Sequence, residues 1–314
     1  EQIETIKGVD FMIDTKDADT HNRGYGTPVI DVDACEPSET AEKAGLVGKA
    51  RTNLGALTLL VLSILAGVFI ALGTQLFVLV THTATSSYGL NQLVGGAAFT
   101  LSMVLIVTTG AELFMGDPLV AMSFLSREIT GRAFTRNVII AFIGNLIGAL
   151  TLVIWIYTAE QWMMSNYLLG AKIVLLANEK VNTSFAVLLA RGMMGNALIC
   201  LGVWLCYCGK SNIDKILSLL WPVSCLMACG FEHCVVNMWL IPMGILLKDN
   251  RTVLTVAEKA HGGKLDLSHL TFFKGFLIDN LCPVVLGNVI GGIVLVAGAY
   301  WFVYLHHPKK GKEV

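Results

Sequence analysis

The sequence predicts an all-α integral membrane protein with six transmembrane helices in an inverted repeat of three plus three, and with spans 2 and 5 broken. Three observations carry this expectation. The first is composition: 54% of the 314 residues are hydrophobic, only 14% are charged, and the mean hydropathy is +0.67. Soluble domains carry about 25% charged residues. The second is the spacing of apolar runs, near 54–80, 92–125, 137–158, 183–207, 213–247 and 276–305. A bilayer is crossed by about 20 apolar residues, so these runs read as six spans. The third is internal repetition. "GAEL" (Gly110–Leu113, span 2) matches "GFEH" (Gly230–His233, span 5), and "GNLIGAL" (Gly144–Leu150, span 3) matches "GNVIGGI" (Gly287–Ile293, span 6). An odd number of spans per half forces the second half to insert upside down, and such folds place their site at the midplane.

Taken in order, residues 1–30 are polar and acidic and read as a mobile cytoplasmic tail. Residues 31–52 read as an interfacial helix: Pro37 suits its first turn, and Ala41, Ala44, Leu46 and Val47 mark one small or apolar side. The first apolar run starts near Asn53, too late for a secretory signal peptide. Residues 53–306 form the six-span membrane domain, and 307–314 a basic cytoplasmic tail.

Spans 2 and 5 are too long and are interrupted. They read "VLIVTTGAELFMGDPLVAMSFL" and "PVSCLMACGFEHCVVNMWLIPMGILL", each with Gly and an acid at mid-membrane and a proline nearby, Pro118 and Pro242. Non-helical backbone at membrane depth is tolerated only where it is buried in protein or lines a wet cavity. Both breaks should therefore face inward. Spans rich in small residues (31 Gly in the chain) fit close helix approach.

Orientation follows the basic residues. Lys43, Lys49 and Arg51 precede span 1; Arg127, Arg132 and Arg136 lie between spans 2 and 3; Lys210 and Lys215 lie between spans 4 and 5; Lys309, Lys310 and Lys312 end the chain. Both termini are expected in the cytoplasm. The loop between spans 5 and 6, with Lys248, Arg251, Lys259, Lys264 and Lys274, runs against this.

Several functions are excluded. A net charge of −1 gives no basic surface for nucleic acid. Most of the eight Cys fall in apolar runs and read as small buried hydrophobes. Cys206-x-Cys208 lacks a second ligand pair, so no metal or other cofactor is expected. No nucleophile–base pair or H-E-x-x-H motif supports an enzyme.

The candidate site lies at the breaks. Helix N-termini offer free N–H groups, and Glu112 and Glu232 are the expected partners of those groups, capping the two breaks. His233 is the pointed case. A histidine in a span is commonly an interhelical hydrogen-bonder, but a break, a repeat and a midplane cavity favour a place on an anion path. Its ordinary titration range lies near physiological pH. Asn145, Asn196 and Asn288 each follow a glycine and read as helix-packing bonders. Arg191, near the outer end of span 4, and Lys180, in the loop before it, read as vestibule cations or structural ion pairs.

These residues carry a likeness. "GFEHCVVNM" with "IPMGI", "GAELFMG", "GNLIGAL", "DNLCPVVLGNVIGG" and the entry helix "DACEPSETAEKAG" together resemble the formate/nitrite transporter family, over about residues 30–305. "SHLTFFKGFLIDNL" looks closest to its formate channel branch. The resemblance implies an aquaporin-like protomer in a homopentamer, multi-pass in the plasma or inner membrane among lipid. Each protomer would have a pore for formate, with protons as possible partners. The alternative is the same fold passing nitrite, hydrosulfide or another small monovalent anion. It implies His233 as the pore histidine beside Glu232, and Lys180 and Asn196 on the anion path. Leu113, Phe114 and Met115 in the span-2 break, with Phe99, Met103 and Leu226, would form two apolar constrictions. The chain departs from the family pattern at Met115, where Thr is usual, at Asp117, and at Met103 and Leu226.

Overall fold

Why a chain this apolar should still contain so many short helices follows from its glycines, prolines and buried amides. The structure, a computed structural model, describes residues 34–83, 87–114 and 118–306. The two predicted tails, 1–30 and 307–314, lie outside the described residues, as do Met115 and Asp117. Among the described residues the structure is helical, with no strand.

Helix α1 (Pro37–Thr52) is the predicted interfacial helix, with Pro37 at its first position. Its buried stripe is Thr40, Ala41, Ala44, Gly45 and Gly48, while Leu46 is exposed and Val47 half-buried. The apolar side is thus narrower than expected: only the small residues pack inward. The start of α1 is tied to the end of a later helix, α7 (Phe185–Cys208). Cys35 N–H donates to the Cys208 carbonyl (2.9 Å), the Thr40 hydroxyl to Cys208 Sγ (3.3 Å), and Lys43 Nζ to the Tyr207 carbonyl (3.2 Å).

Among the described residues, five helices are long and apolar enough to cross a membrane: α2 (Ala56–Thr81), α3 (Tyr88–Thr109), α5 (Gly131–Thr158), α7 and α11 (Phe272–Tyr304). Helix α11 contains two π-helical stretches, Phe272–Leu281 and Ile290–Gly298. The remaining apolar run divides into α8 (Asn212–Ala228) and α9 (Cys234–Leu247). Short α4 (Pro118–Leu125) follows α3, and its first residue is the proline that cannot continue a helix from before. Almost all of α9 is buried, including Trp239, so it lies inside the bundle rather than against lipid. Elsewhere large apolar side chains such as Leu57, Trp155, Trp221 and Phe273 are exposed, as suits a chain whose outer solvent is hydrocarbon.

Two helices lie outside the predicted spans. Helix α6 (Leu168–Asn182) carries Lys180, which the sequence reading placed in a loop. It has an apolar side packed on α9, but at 15 residues it is too short to cross. Helix α10 (Arg251–His261) is capped by Asn250, whose side chain accepts from the N–H groups of Thr252 and Val253, and it is closed by Gly262 at φ +85°.

The spans pair through small residues. Helix α2 packs on α5, α3 on α8, and α7 on α11. A Cβ on Gly148 would sit 2.0 Å from the Ile64 carbonyl oxygen, and one on Gly291 would sit 2.1 Å from the Met193 carbonyl oxygen. Both glycines end the repeated "GNxIG" motif, so the motif marks equivalent close contacts in the two halves. Gly148→Val and Gly291→Val are each expected to cost about 1–3 kcal/mol through overpacking. The readout is the Tm of the purified protein in detergent; an unchanged Tm would mean the helix pairs have slack.

Candidate anion pathway

Helix α8 ends at Ala228, and Gly230 takes a left-handed turn at φ +68°. Extended backbone then runs through Phe231, Glu232 and His233, and α9 starts at Cys234. Several of its main-chain groups are bonded to protein. Phe231 N–H donates to the Leu226 carbonyl (3.0 Å) and Glu232 N–H to the Arg191 carbonyl (3.2 Å). Asn288 does most of the rest. Its Oδ1 accepts from Cys234 N–H (2.9 Å), and its Nδ2 donates to the carbonyls of Gly192 (2.9 Å) and Glu232 (3.0 Å).

The segment after α3 repeats this pattern. Gly110 turns at φ +75°, and Ala111 N–H donates to the Ile106 carbonyl (3.1 Å). Glu112 N–H donates to the Leu62 carbonyl (3.2 Å). Asn145 Oδ1 accepts from Phe114 N–H (2.7 Å), and its Nδ2 donates to the carbonyls of Ser63 (2.7 Å) and Glu112 (2.9 Å). The two halves are thus equivalent bond by bond, and Leu113 occupies the position that His233 occupies in the second half.

The glutamates have a different job from the one expected. Neither carboxylate takes the N–H groups of its break; those are taken by the asparagines and by main-chain carbonyls. Glu232 instead receives Lys180 Nζ on both oxygens (2.6 and 2.7 Å) and Asn237 Nδ2 (2.8 Å). Glu112 receives Arg51 and Asn137 Nδ2 (3.0 Å). The physical reason is charge: a buried carboxylate is stabilised far more by a cation than by another amide, and each break stands within reach of one. Asn196 is also not where the resemblance put it. It is fully buried, donates to the Asn288 carbonyl (2.7 Å), and lines neither of the two cavities described below.

His233 caps α9, its Nδ1 accepting from Val235 N–H at 3.3 Å. An accepting Nδ1 leaves the neutral ring's proton on Nε2. That nitrogen is buried and has no hydrogen-bond partner among the described residues. Phe99, Met103, Leu113, Phe114 and Leu226 are buried in one continuous apolar cluster, and the histidine is 2% exposed.

Two cavities flank this apolar layer. One, about 200 Å³, is lined by Lys180, Glu232, Arg191, Lys172, Phe231 and Gln92, among others. The second, about 40 Å³, is lined by Arg51, Met103, Ile106, Ala111, Leu113 and Tyr207, among others. Along α3 the first touches Tyr88 and Gln92 and the second Met103 to Val107. At 1.5 Å per residue, Gln92 and Met103 stand roughly 16 Å apart on the helix axis, with Phe99 between them.

The family model described as formate/nitrite transporter matches residues 38–302. The chain belongs to the formate/nitrite transporter family. The Escherichia coli (strain K12) protein named formate channel FocA is 35% identical over 278 residues, spanning 86% of this chain and 96% of its own. Formate channel FocB of the same strain is 34% identical over 240 residues, 76% of this chain and 84% of its own. A solved structure titled pentameric formate channel with formate bound superposes with a TM-score of 0.72 at 34% identity, covering 80% of this chain and 98% of that one. A second, titled FNT family ion channel, superposes at 0.70 and 22% identity, and supports the fold alone.

Sequence reasoning missed the braces. Arg51 was read only as an orientation charge, and Asn137, Asn237 and Asn280 were not singled out. Asn237 Nδ2 also donates to Asn280 Oδ1 (2.8 Å), and Asn280 Nδ2 to the Lys180 carbonyl (3.1 Å). The "GNxIG" repeat held a usable signal for Asn145 and Asn288.

Lys180→Met is expected to destabilise by about 3–5 kcal/mol, because it leaves a buried carboxylate without its counter-ion. The pair Lys180→Met with Glu232→Gln should recover most of the lost Tm, and no recovery would remove the ion pair as the cause. Asn288→Ala orphans one N–H and two carbonyls, each worth about 1–3 kcal/mol. It should lower Tm more than Asn196→Ala, which removes the donor to the Asn288 carbonyl and leaves the backbone of the break bonded.

Proposed function

We propose that this chain is a channel or secondary transporter for formate, with His233 pairing with or protonating the anion as it crosses the apolar layer. The observation that carries the reading is the buried Nε2–H of His233, without a partner among the described residues, amid apolar side chains between two cavities that each hold a basic side chain. A bare carboxylate in that layer would lose its hydration without replacement, at a cost of several kcal/mol or more. A donor at the point of greatest desolvation removes much of that cost. The neutral ring gives the anion a hydrogen bond and keeps its proton; to protonate it the ring would first take up a proton at Nδ1, in place of the bond from Val235 N–H. That imidazolium would pass its Nε2 proton to the anion, leaving formic acid and a neutral ring, so that protons accompany the anion.

The assembly we infer has α8 and α9 together as one span, giving six, in an aquaporin-like inverted protomer. Five protomers each carry a pore. Both termini lie in the cytoplasm, α6 faces the outside, and the chain is multi-pass in the plasma or inner membrane. The pentamer title of the superposed structure, the family membership and the basic residues on the first-half loops support these points. A channel role needs no catalytic group, in keeping with the reading of the chain as a non-enzyme.

Liposome flux tests the reading. Wild type is expected to pass formate faster as external pH falls. His233→Asn should flatten that pH dependence and lower flux at least about tenfold, the range ascribed to positioned proton donors. Measurable flux of nitrite or hydrosulfide with none of formate would overturn the substrate; unchanged pH dependence in the variant would remove the histidine mechanism. Leu226→Ala should widen the layer and raise acetate flux relative to formate. An unchanged ratio would take Leu226 out of the constriction.

A further inference from the structure

We propose that Lys172 and Arg191 form an anion-capture station for small carboxylates in the cavity beside α6, and that the opposite cavity has no equivalent. The capture claim concerns binding alone; its consequence for transport rests on the proposed passage of formate.

Lys180 is the cation that the resemblance puts on the anion path, but its ammonium is already committed to both oxygens of Glu232. Arg191 and Lys172 line the same cavity. Arg191 makes no ion pair and no side-chain hydrogen bond among the described residues. Its main-chain carbonyl receives Glu232 N–H, so its Cα is fixed against the break that leads to His233. Lys172 likewise makes no side-chain hydrogen bond among the described residues. Burial pushes its pKa down, and the Glu179 carboxylate pulls the other way. A desolvated ammonium of this kind gains from any anion that comes near.

The charges facing the cavity are Lys172, Lys180 and Arg191 against Glu179 and Glu232. With Lys180 and Glu232 paired, and exposed Glu179 set against Lys172, one positive charge remains in surplus. Gln92 and Tyr88 add neutral donors from α3. The volume, about 200 Å³, exceeds what a three-heavy-atom anion needs, so a short dicarboxylate also fits.

The repeat explains why only one mouth is so equipped. The bonds of the two halves align Arg51 with Lys180, Leu62 with Arg191 and Ser63 with Gly192. The same register aligns Lys43 with Lys172. On the α1 side the position of Arg191 is therefore a leucine, and Lys43 donates to the Tyr207 carbonyl at 3.2 Å. Among the described residues the one charged side chain lining the cavity there is Arg51, which is bonded to Glu112, and the cavity is about 40 Å³.

The test uses the full chain. Malonate is titrated by calorimetry into purified wild type, Arg191→Gln, Lys172→Gln/Arg191→Gln and the mirror control Lys43→Gln, with equal Tm as the folding control. Saturable malonate binding is expected in wild type and Lys43→Gln. It should weaken several-fold in the single variant and at least about tenfold in the double. Arg191→Lys should retain most of it. In cells, the double variant should raise the half-saturation for external formate about fivefold or more at unchanged maximal uptake, and leave that for efflux in place. Absent malonate binding in wild type, or binding unchanged in the double variant, overturns the station. An equal rise from both faces overturns the asymmetry. If wild type passes no formate, the proposed function fails, and the malonate titration still decides the station.

Discussion

The structure depends on two asparagine side chains that hold non-helical backbone inside a membrane protein. Wherever α3 and α8 stop, several peptide groups lose their helical partners at a depth where no water replaces them. Each orphaned group there costs several kcal/mol. A carboxamide is suited to the task because it offers an acceptor and two donors on one small rigid group. Asn288 uses all three, and Asn145 uses the same three in the other half. In each half one side chain joins three elements, the span before the break, the break itself and the span after it. The glycines around it then have to be glycines: the helices that carry the asparagines lie so close to their neighbours that a Cβ would meet a carbonyl oxygen.

The glutamates and their cations are duplicated too, while their amide partners come from non-equivalent positions, Asn137 on α5 and Asn237 on α9. Glu112 and Glu232 are nearly inaccessible, at 1% and 2% exposure. Each is stabilised by one cation and one asparagine amide. A buried pair of this kind contributes little net stability, yet breaking it is costly. Its role is therefore one of specification: it pins α1 to the first break and α6 to the second. This accounts for why a chain of spans retains two helices too short to cross.

The class of the protein and its helical character are legible in the sequence because they depend on composition and on period, which are local properties. The run 213–247 was visibly too long for one helix, and "GFEH" marked where it stops. The partners of Glu232 were not legible. Lys180 lies 52 positions away and Asn288 lies 56 positions away, and nothing in the spacing shows that they converge. Helix α6 was missed because its apolar side is shared with polar residues and no run of 20 apolar residues announces it. Leu46 was assigned to the inward side of α1 because helical period alone does not say how wide the packed stripe is. The repeat could have closed part of the gap. Once "GAEL" and "GFEH" are aligned, "GNLIGAL" and "GNVIGGI" place two asparagines in equivalent positions, and equivalence at buried polar residues is a stronger pointer to shared bonding than apolar similarity is.

The same alignment separates scaffold from chemistry. Residues that the halves share, the glutamates, their cations, the asparagines and the close-packed glycines, are those that satisfy backbone and charge. A duplicated fold has to solve that problem twice, and it does so with the same residue types. Chemistry of the proposed kind has no such need for duplication. One donor at the centre of the apolar layer serves an anion arriving from either side, whereas a second would place two titratable rings in one dry slit, where their charged forms would repel. Leu113 stands where His233 has its counterpart, and Leu62 where Arg191 does. The positions at which the repeat is broken are therefore where selection for transport, as opposed to folding, has room to act. In this chain they include Arg191, which lines the larger cavity, and the buried His233.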